Sequence, residues 1–507
     1  MPDLGWERGP DDLPRAHLPP ERLPTGVAAL RQAGFDYLIC LSGVDRGEAR
    51  QVVYHLRDTA RHREVALYVD VPTRREEVPS LTDQFRAADW PEREVYDLFG
   101  VRFAGHPDLR RILLPDTFRG HPLRKDYQED DPEVAPEGEP DLPAAPDEMW
   151  INVGPQHPST HGVFRMLLKL SGETVEGCRP YIGYLHRGFE KLAERRDYVQ
   201  YQPYPDRWDY LAAMNNEHAY VGAVERLMQL EVPRRAEYLR VLATELNRVA
   251  SHLLWLGTFL LDLGAMSPFL YTFREREMIM ELFNELSGAR MTYNYLRIGG
   301  TAHDLTPELA RQIRAFLPYF RRRLAEYEAL ISDNEIFLAR VRGVGLLPPD
   351  EALNRGASGP LLRASGVDWD LRRDRPYGAY PELSFQVATA STWDLHGRYL
   401  VRLAEMRESC RLVEQVLDGL PEGPHRAKVP VRVRPPAGDT YFAVESPRGE
   451  LGVFLISDGS DHAWRLKIRA PSFMNLMSLD PMLQGHLAAD AIAILGSIDI
   501  LLGEVDR

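Results

Sequence analysis

Cysteine is scarce in this chain. Cys40, Cys178 and Cys410 are the only three among 507 residues, they lie far apart, and no CxxC occurs. That excludes a disulfide framework and a four-cysteine iron–sulfur site within the chain, and it fits a reducing compartment. Long apolar runs are absent too, and none reaches the length needed to span a bilayer. The N-terminal MPDLGWERGPDD is acidic and proline-bearing, unlike a signal peptide. If the protein works at a membrane, partners hold it there. No G-x-G-x-x-G follows a strand pattern and no G-x-x-x-x-G-K-[ST] occurs, so a nucleotide-dependent dehydrogenase or ATPase has no site to stand on. Positive charge is in deficit: a formal −14 argues against a nucleic-acid binder, which needs a basic face to neutralise phosphates.

What is present is a large core-forming chain, 44% hydrophobic and 27% charged, enough for two or more domains. Residues 128–148, QEDDPEVAPEGEPDLPAAPDE, hold acids, prolines and alanines with almost nothing to bury, and read as an extended, self-repelling linker. In the first domain, 1–127, the runs 37–44, 51–56 and 65–71 are rich in Val, Ile and Tyr and predict strands. The expected fold is a small α+β sheet domain with helices on one face. In the second domain, 149–507, 150–154 and 163–172 are strand-like. Leu239, Leu242, Leu246, Val249, Leu253, Leu256 and Leu260 recur at alternating spacings of three and four, a helix stripe over 235–263. Thr306 and Pro307 open a second long helix over 307–331. Residues 441–459 read as a hairpin, and 465–471 alternate apolar and polar like a strand. The fold class is α+β, with a helix bundle and small sheets in the second domain and no internal repeat.

Five segments carry chemistry. The run EREVYDLFGVRFAGHPDLRRILLPDTFRGHPLRKDY (92–127) is basic, aromatic and Gly/Pro-punctuated, which suits either a docking surface or an ordinary one. In NVGPQHPSTHGVFR (152–165), Gly154, Pro155, Pro158 and Gly162 forbid a regular helix and leave a tight loop. His157 and His161 there have the chemistry of metal ligands, but no third and fourth ligand are nearby, and a loop histidine is most often a plain surface residue. IGYLHRGFEK (182–191) and PDRWDYLAAMNNEHA (205–219) supply Arg187, Arg207 and Tyr210; solvated arginines and a core tyrosine are the ordinary readings. Asp262 sits late in an apolar helix, where a charge needs a partner or a changed protonation state. The chain ends in DILLGEVDR (499–507).

That tail resembles the end of a nickel–iron hydrogenase large subunit, which finishes near Asp-Pro-Cys-x-x-Cys. Here Leu501 and Glu504 stand at the two cysteine positions, and neither replaces a soft thiolate at nickel. The tail is closer to the hydrogenase-derived large subunit of respiratory complex I, in which the emptied metal site has become a quinone pocket. The 92–127 run resembles the signature of the complex I 30-kDa (C) subunit, which implies a docking module without redox chemistry. Residues 152–165 resemble the loop of the 49-kDa (D) subunit, with Phe164 where that family usually has Leu. ESPRGELG (445–452), APSF (470–473) and GEVDR (503–507) resemble it as well. In hydrogenases the region of 205–219 carries the first cysteine pair; here it carries none.

The resemblance implies roles. His161 and Tyr210 would hold the two oxygens of a quinone headgroup, and the Tyr210 phenol, with a reference pKa of about 10, would stay protonated and donate. Asp262 would pair with His161, orient its imidazole and favour the protonated form. Arg187 and Arg207 would face a 4Fe–4S cluster held by a partner subunit. A cation about 6 Å from a cluster, at an effective dielectric of about 20, stabilises the reduced form by roughly 3 kcal/mol, or about 100 mV at the upper end. Thr292 stands where the family commonly has a histidine beside that cluster, which implies a weaker pH dependence of its potential. The resemblance therefore implies a fused C/D subunit of a bacterial, proton-pumping NADH:quinone oxidoreductase at the cytoplasmic face of the inner membrane. Its partners would include the B-type iron–sulfur, I-type ferredoxin and H-type membrane subunits. NADH would bind elsewhere, quinone would be the substrate, and this chain alone would hold no metal. A hydrogenase-type large subunit would need two cysteine pairs that do not exist here. A purely structural scaffold would tolerate changes at Tyr210 and His161.

Overall fold

A computed structural model describes residues 2–9, 11–72, 76–128, 148–155 and 162–507. Most of the expected linker (129–147), as well as His157 and His161, lies outside the described residues. The three predicted strands of the first unit form, somewhat longer than expected, as Tyr37–Asp45, Arg50–Asp58 and Arg63–Val71. They pair antiparallel, Pro14–Leu18 adds in parallel to Arg63–Val71, and Glu7–Arg8 closes the five-stranded sheet.

The sheet is buried on both faces, and the middle of each long strand is accordingly apolar. One face, with Leu38, Leu41, Val52, Tyr54, Leu56, Leu67 and Val69, shares a core with the helices Leu23–Gln32 and Asp89–Phe99. The other, with Tyr37, Ile39, Val44, Val53 and Tyr68, packs on Tyr441, Phe454 and Ile456 of the second unit. Helices do cover one face as expected; the other is covered by the predicted hairpin, which forms as Gly438–Ser446 and Gly449–Ser457.

The strand Arg465–Arg469 extends that hairpin sheet. Its alternation is real, yet all five residues are buried. The polar side meets counter-charges: Lys467 and Arg507 pair with Glu94 of the first unit, and Arg465 pairs with Glu190. Arg57 of the first sheet reaches Glu450 at 2.6 Å, and Arg469 donates to the Tyr37 hydroxyl and the Ile39 carbonyl. A hydrophobic sheet-on-sheet contact and desolvated ion pairs thus bind the two units together.

The second unit is built on the helix Arg234–Asp262, flanked by Ala213–Met228, Met266–Ser287 and Leu395–Gly419. All seven stripe residues are buried. So is much of the opposite side, where Arg240 pairs with Glu225, Glu245 with Arg248 and Arg372, and His252 with Glu405. Apolar periodicity could not reveal that second burial, because these charges enter the interior only with their partners. Pro307–Ile331 begins as predicted, with the Thr306 hydroxyl accepting from the Leu309 amide at 3.2 Å. Thr306→Ala is expected to cost about 1 kcal/mol. Hydrogen exchange of the first-turn amides would read that loss as faster opening, and unchanged rates would contradict it.

Candidate functional site

The tail organises the site. Asp499 turns the chain in a left-handed conformation after the helix Ala491–Ile498, and Leu502–Asp506 forms a last, buried helical turn. The Asp506 carboxylate accepts from the amides of Gly183 and Leu185 at 2.9 and 2.7 Å, and the Arg187 amide donates to the Arg507 carbonyl. This ties the tail to the 182–191 segment. At Gly503 a Cβ would come within 2.7 Å of the Trp208 carbonyl oxygen and 3.1 Å of Arg187 Nη2. Only glycine permits this approach to the 205–210 turn. Beside it, Leu502 abuts Gly162, the residue after His161.

Beneath the contact lies a buried charge cluster. Arg448, from the hairpin turn of ESPRGELG, pairs with Asp209 at 2.5 Å and with Asp499 at 3.1 Å. Glu504 accepts from the Ser472 amide of APSF at 3.0 Å. Burial, and next the charge of Asp209, push the Glu504 carboxyl up to about 7, against the pull of Arg448. Burial likewise raises Asp209. Burial opposes the Arg448 charge, but Asp209 and Asp499 outweigh it and hold the guanidinium firmly protonated. Three acids therefore lie within the field of one arginine. Glu504 is an acid poised near neutrality.

The turn that follows Pro205 sorts its side chains. Asp206, Trp208 and Asp209 point inward with no exposure, whereas Arg207 and Tyr210 face out. Tyr210 is 37% exposed, so it is not the core tyrosine that composition alone would favour. Burial and the neighbouring Asp209 raise its phenol pKa and keep it a donor. Arg187, half-buried, interacts electrostatically with Tyr210, lies over the Phe189 ring at 4.4 Å and donates to the Gly503 carbonyl. Its Nε is buried without a partner among the described residues. Arg207 lies 3.8 Å from Asp206. Thr292 is half-buried, with a left-handed backbone, and its loop is fastened to the same turn through the Asn294 amide on Asp206. Asp262 ends the central helix, half-buried. Its expected partner His161 lies outside the described residues.

Arg187, Arg207 and Tyr210 are thus brought around one tail contact. Asp209, Arg448 and Asp499 were missed. Their signal was present, since each stands in a quoted motif, but nothing local says that a charge is buried. The cysteines do not fit a cluster site: Cys40 and Cys410 are buried thiols pushed up to about 12, and Cys178 is also raised by burial. Among the described residues no helix is long and apolar enough to cross a membrane.

The family described as "Respiratory-chain NADH dehydrogenase, 49 Kd subunit" matches residues 262–433 and 428–507. "Respiratory-chain NADH dehydrogenase, 30 Kd subunit" matches residues 16–133. The D-type subunit of NADH-quinone oxidoreductase from Geobacillus thermodenitrificans is 54% identical over 361 residues, covering 71% of this chain and 99% of the relative. Its counterparts from Bacillus anthracis (53%) and Geobacillus kaustophilus (54%) cover the same 71% of this chain and 99% and 98% of their own lengths. The chain belongs to the 49-kDa subunit family of respiratory-chain NADH dehydrogenase, and the same polypeptide carries a domain of the 30-kDa family.

Proposed function

We propose that this chain forms one wall of the quinone-reduction site of a proton-pumping NADH:quinone oxidoreductase, beside a 4Fe–4S cluster held by a partner subunit. Its role is that of a peripheral-arm subunit of an oxidoreductase complex, with residues 1–127 as the C-type unit, 128–148 as the linker and 149–507 as the D-type unit. The single observation that carries the site is the convergence of the tail with the 182–191 and 205–210 segments. It fixes Asp209, Arg448 and Glu504 below and leaves Tyr210 facing out beside Arg187.

A 4Fe–4S cluster there would supply electrons one at a time. Arg187 and Arg207 would place fixed positive charge toward it; the Nε of Arg187, buried and unpartnered among the described residues, fits a guanidinium with another group nearby. Tyr210 donates its phenolic hydrogen to one quinone oxygen, and His161, oriented by Asp262, donates to the other. Reduction creates charge that a low-dielectric wall cannot hold, so protons must arrive with the electrons. The partners are the B-type, I-type and H-type subunits, at the cytoplasmic face of the inner membrane.

The test is quinone reduction by membranes carrying Tyr210→Phe, with assembly of the complex checked on the same membranes. Removing one positioned donor should lower turnover by about 100-fold. Unchanged turnover in an intact complex would make the chain a scaffold. Thr292 gives a second expectation: near neutral pH the potential of the terminal cluster should vary only weakly with pH. A redox titration with a full one-proton slope there would refute it.

A further inference from the structure

Two carboxyl groups that the reading above does not use face each other behind Arg207. Asp206, on the turn before Arg207, and Glu217, on the helix Ala213–Met228, are both buried. Each spends one oxygen on the segment that follows Thr292. Asp206 Oδ2 accepts from the Asn294 amide at 2.9 Å, and Glu217 Oε2 accepts from the amides of Tyr295 and Leu296 at 3.0 and 2.6 Å. The remaining oxygens, Asp206 Oδ1 and Glu217 Oε1, are buried with no other donor among the described residues. The two side chains are in hydrogen-bond contact with each other. Two acceptor-only carboxylates in such contact would repel without solvent to screen them, and a single proton between them removes the conflict.

We propose that Asp206 and Glu217 share one proton, and that this acid–carboxylate pair is a pH-dependent clasp that holds the 293–296 segment to the Arg207 turn and sets the charge behind Arg207. The inference about charge rests on the cluster-facing reading of Arg207; the clasp itself does not. The groups facing the pair are Arg207 on its own turn, Arg297 from the clasped segment, and the Tyr293 and Tyr295 phenols. Burial keeps both phenols protonated, so they add no charge. Arg207 is exposed and 3.8 Å away, too distant and too solvated to neutralise a second carboxylate. Burial raises both acids, and for Glu217 the Asp206 charge adds to it. The pair therefore holds its proton to a higher pH than exposed carboxyl groups do.

Glu217→Gln is the informative variant. The amide oxygen still accepts from Tyr295 and Leu296, the amide nitrogen replaces the shared proton toward Asp206, and the net charge of the protonated pair is unchanged. Hydrogen exchange of residues 294–296, followed by mass spectrometry in the whole complex and corrected for the intrinsic pH effect, reads the clasp. Over an ascending pH series, wild-type protection should fall by about tenfold once the proton leaves, while Glu217→Gln stays level. Parallel profiles, or a Glu217→Gln profile lowered at every pH, would overturn the proposal. The potential of the terminal cluster, titrated by electron paramagnetic resonance over the same range, separates the two layers. It should drift downward in wild type as the proton leaves and not in Glu217→Gln. A differential exchange profile without a differential potential would retain the clasp and remove the cluster-facing reading of Arg207.

Discussion

Arg448→Met is expected to destabilise the chain by about 3–5 kcal/mol, the usual consequence of removing one partner from a buried ion network. The guanidinium is the shared counter-charge of Asp209 and Asp499 and sits within the field of Glu504. Methionine fills much of its volume, so the loss is electrostatic rather than a cavity effect. The carboxylates would be left in a dry interior, where they must either take up protons or draw in water. Because Asp499 begins the tail and Asp209 precedes Tyr210, the damage should spread to the tail contact. Chemical denaturation of the purified chain measures the effect. Adding Asp209→Asn and Asp499→Asn to Arg448→Met should recover most of the lost stability, since neutral amides need no counter-charge. A single variant within about 1 kcal/mol of wild type would mean that the cluster is hydrated or already neutral.

Glu504→Gln should change the pH dependence of stability in the opposite sense. Its carboxyl is raised from about 4.5 in the unfolded chain to about 7 in the folded protein. A raised acid binds its proton more tightly when folded. Its contribution is therefore fully present below about pH 4.5 and is lost as pH rises through about 7. The loss across that window is on the order of 3 kcal/mol. Glutamine keeps the acceptor for the Ser472 amide and has no proton to lose. The variant should match wild type in mild acid and exceed it above neutrality. Thermal unfolding at several pH values checks this, and parallel curves for the two proteins would show that Glu504 does not titrate in this window. The same residue bears on function: a neutral Glu504 leaves Asp209 and Asp499 to balance Arg448, whereas an ionised one adds negative charge beneath Tyr210.

Much of the fold was legible because it depends on local pattern. Three strands of the first unit, the Leu239–Leu260 stripe and the Thr306–Pro307 helix start all follow from side-chain periodicity and capping, which neighbouring residues determine. The outward placement of Arg207 and Tyr210 was half-legible. The motif named them, but only the 3-10 turn at Pro205–Arg207 separates them from Trp208 and Asp209. The strand 465–469 shows where pattern misleads. Its alternation reads as one wet face, yet Lys467 meets Glu94, 373 residues away, in a dry interface.

By itself, then, the sequence determined the segments, their order, the family and the absence of any CxxC pair. Only the tertiary structure decided which charges are buried and with whom. Arg448 and Asp209 are 239 residues apart, and nothing within a turn or two of either announces the other. The reason is physical. Periodicity reports a side chain's direction relative to its own helix or strand. The protonation and energy of an ionisable group depend on solvent exclusion and on charges within a few ångströms, which are set by whatever distant segment the fold brings there.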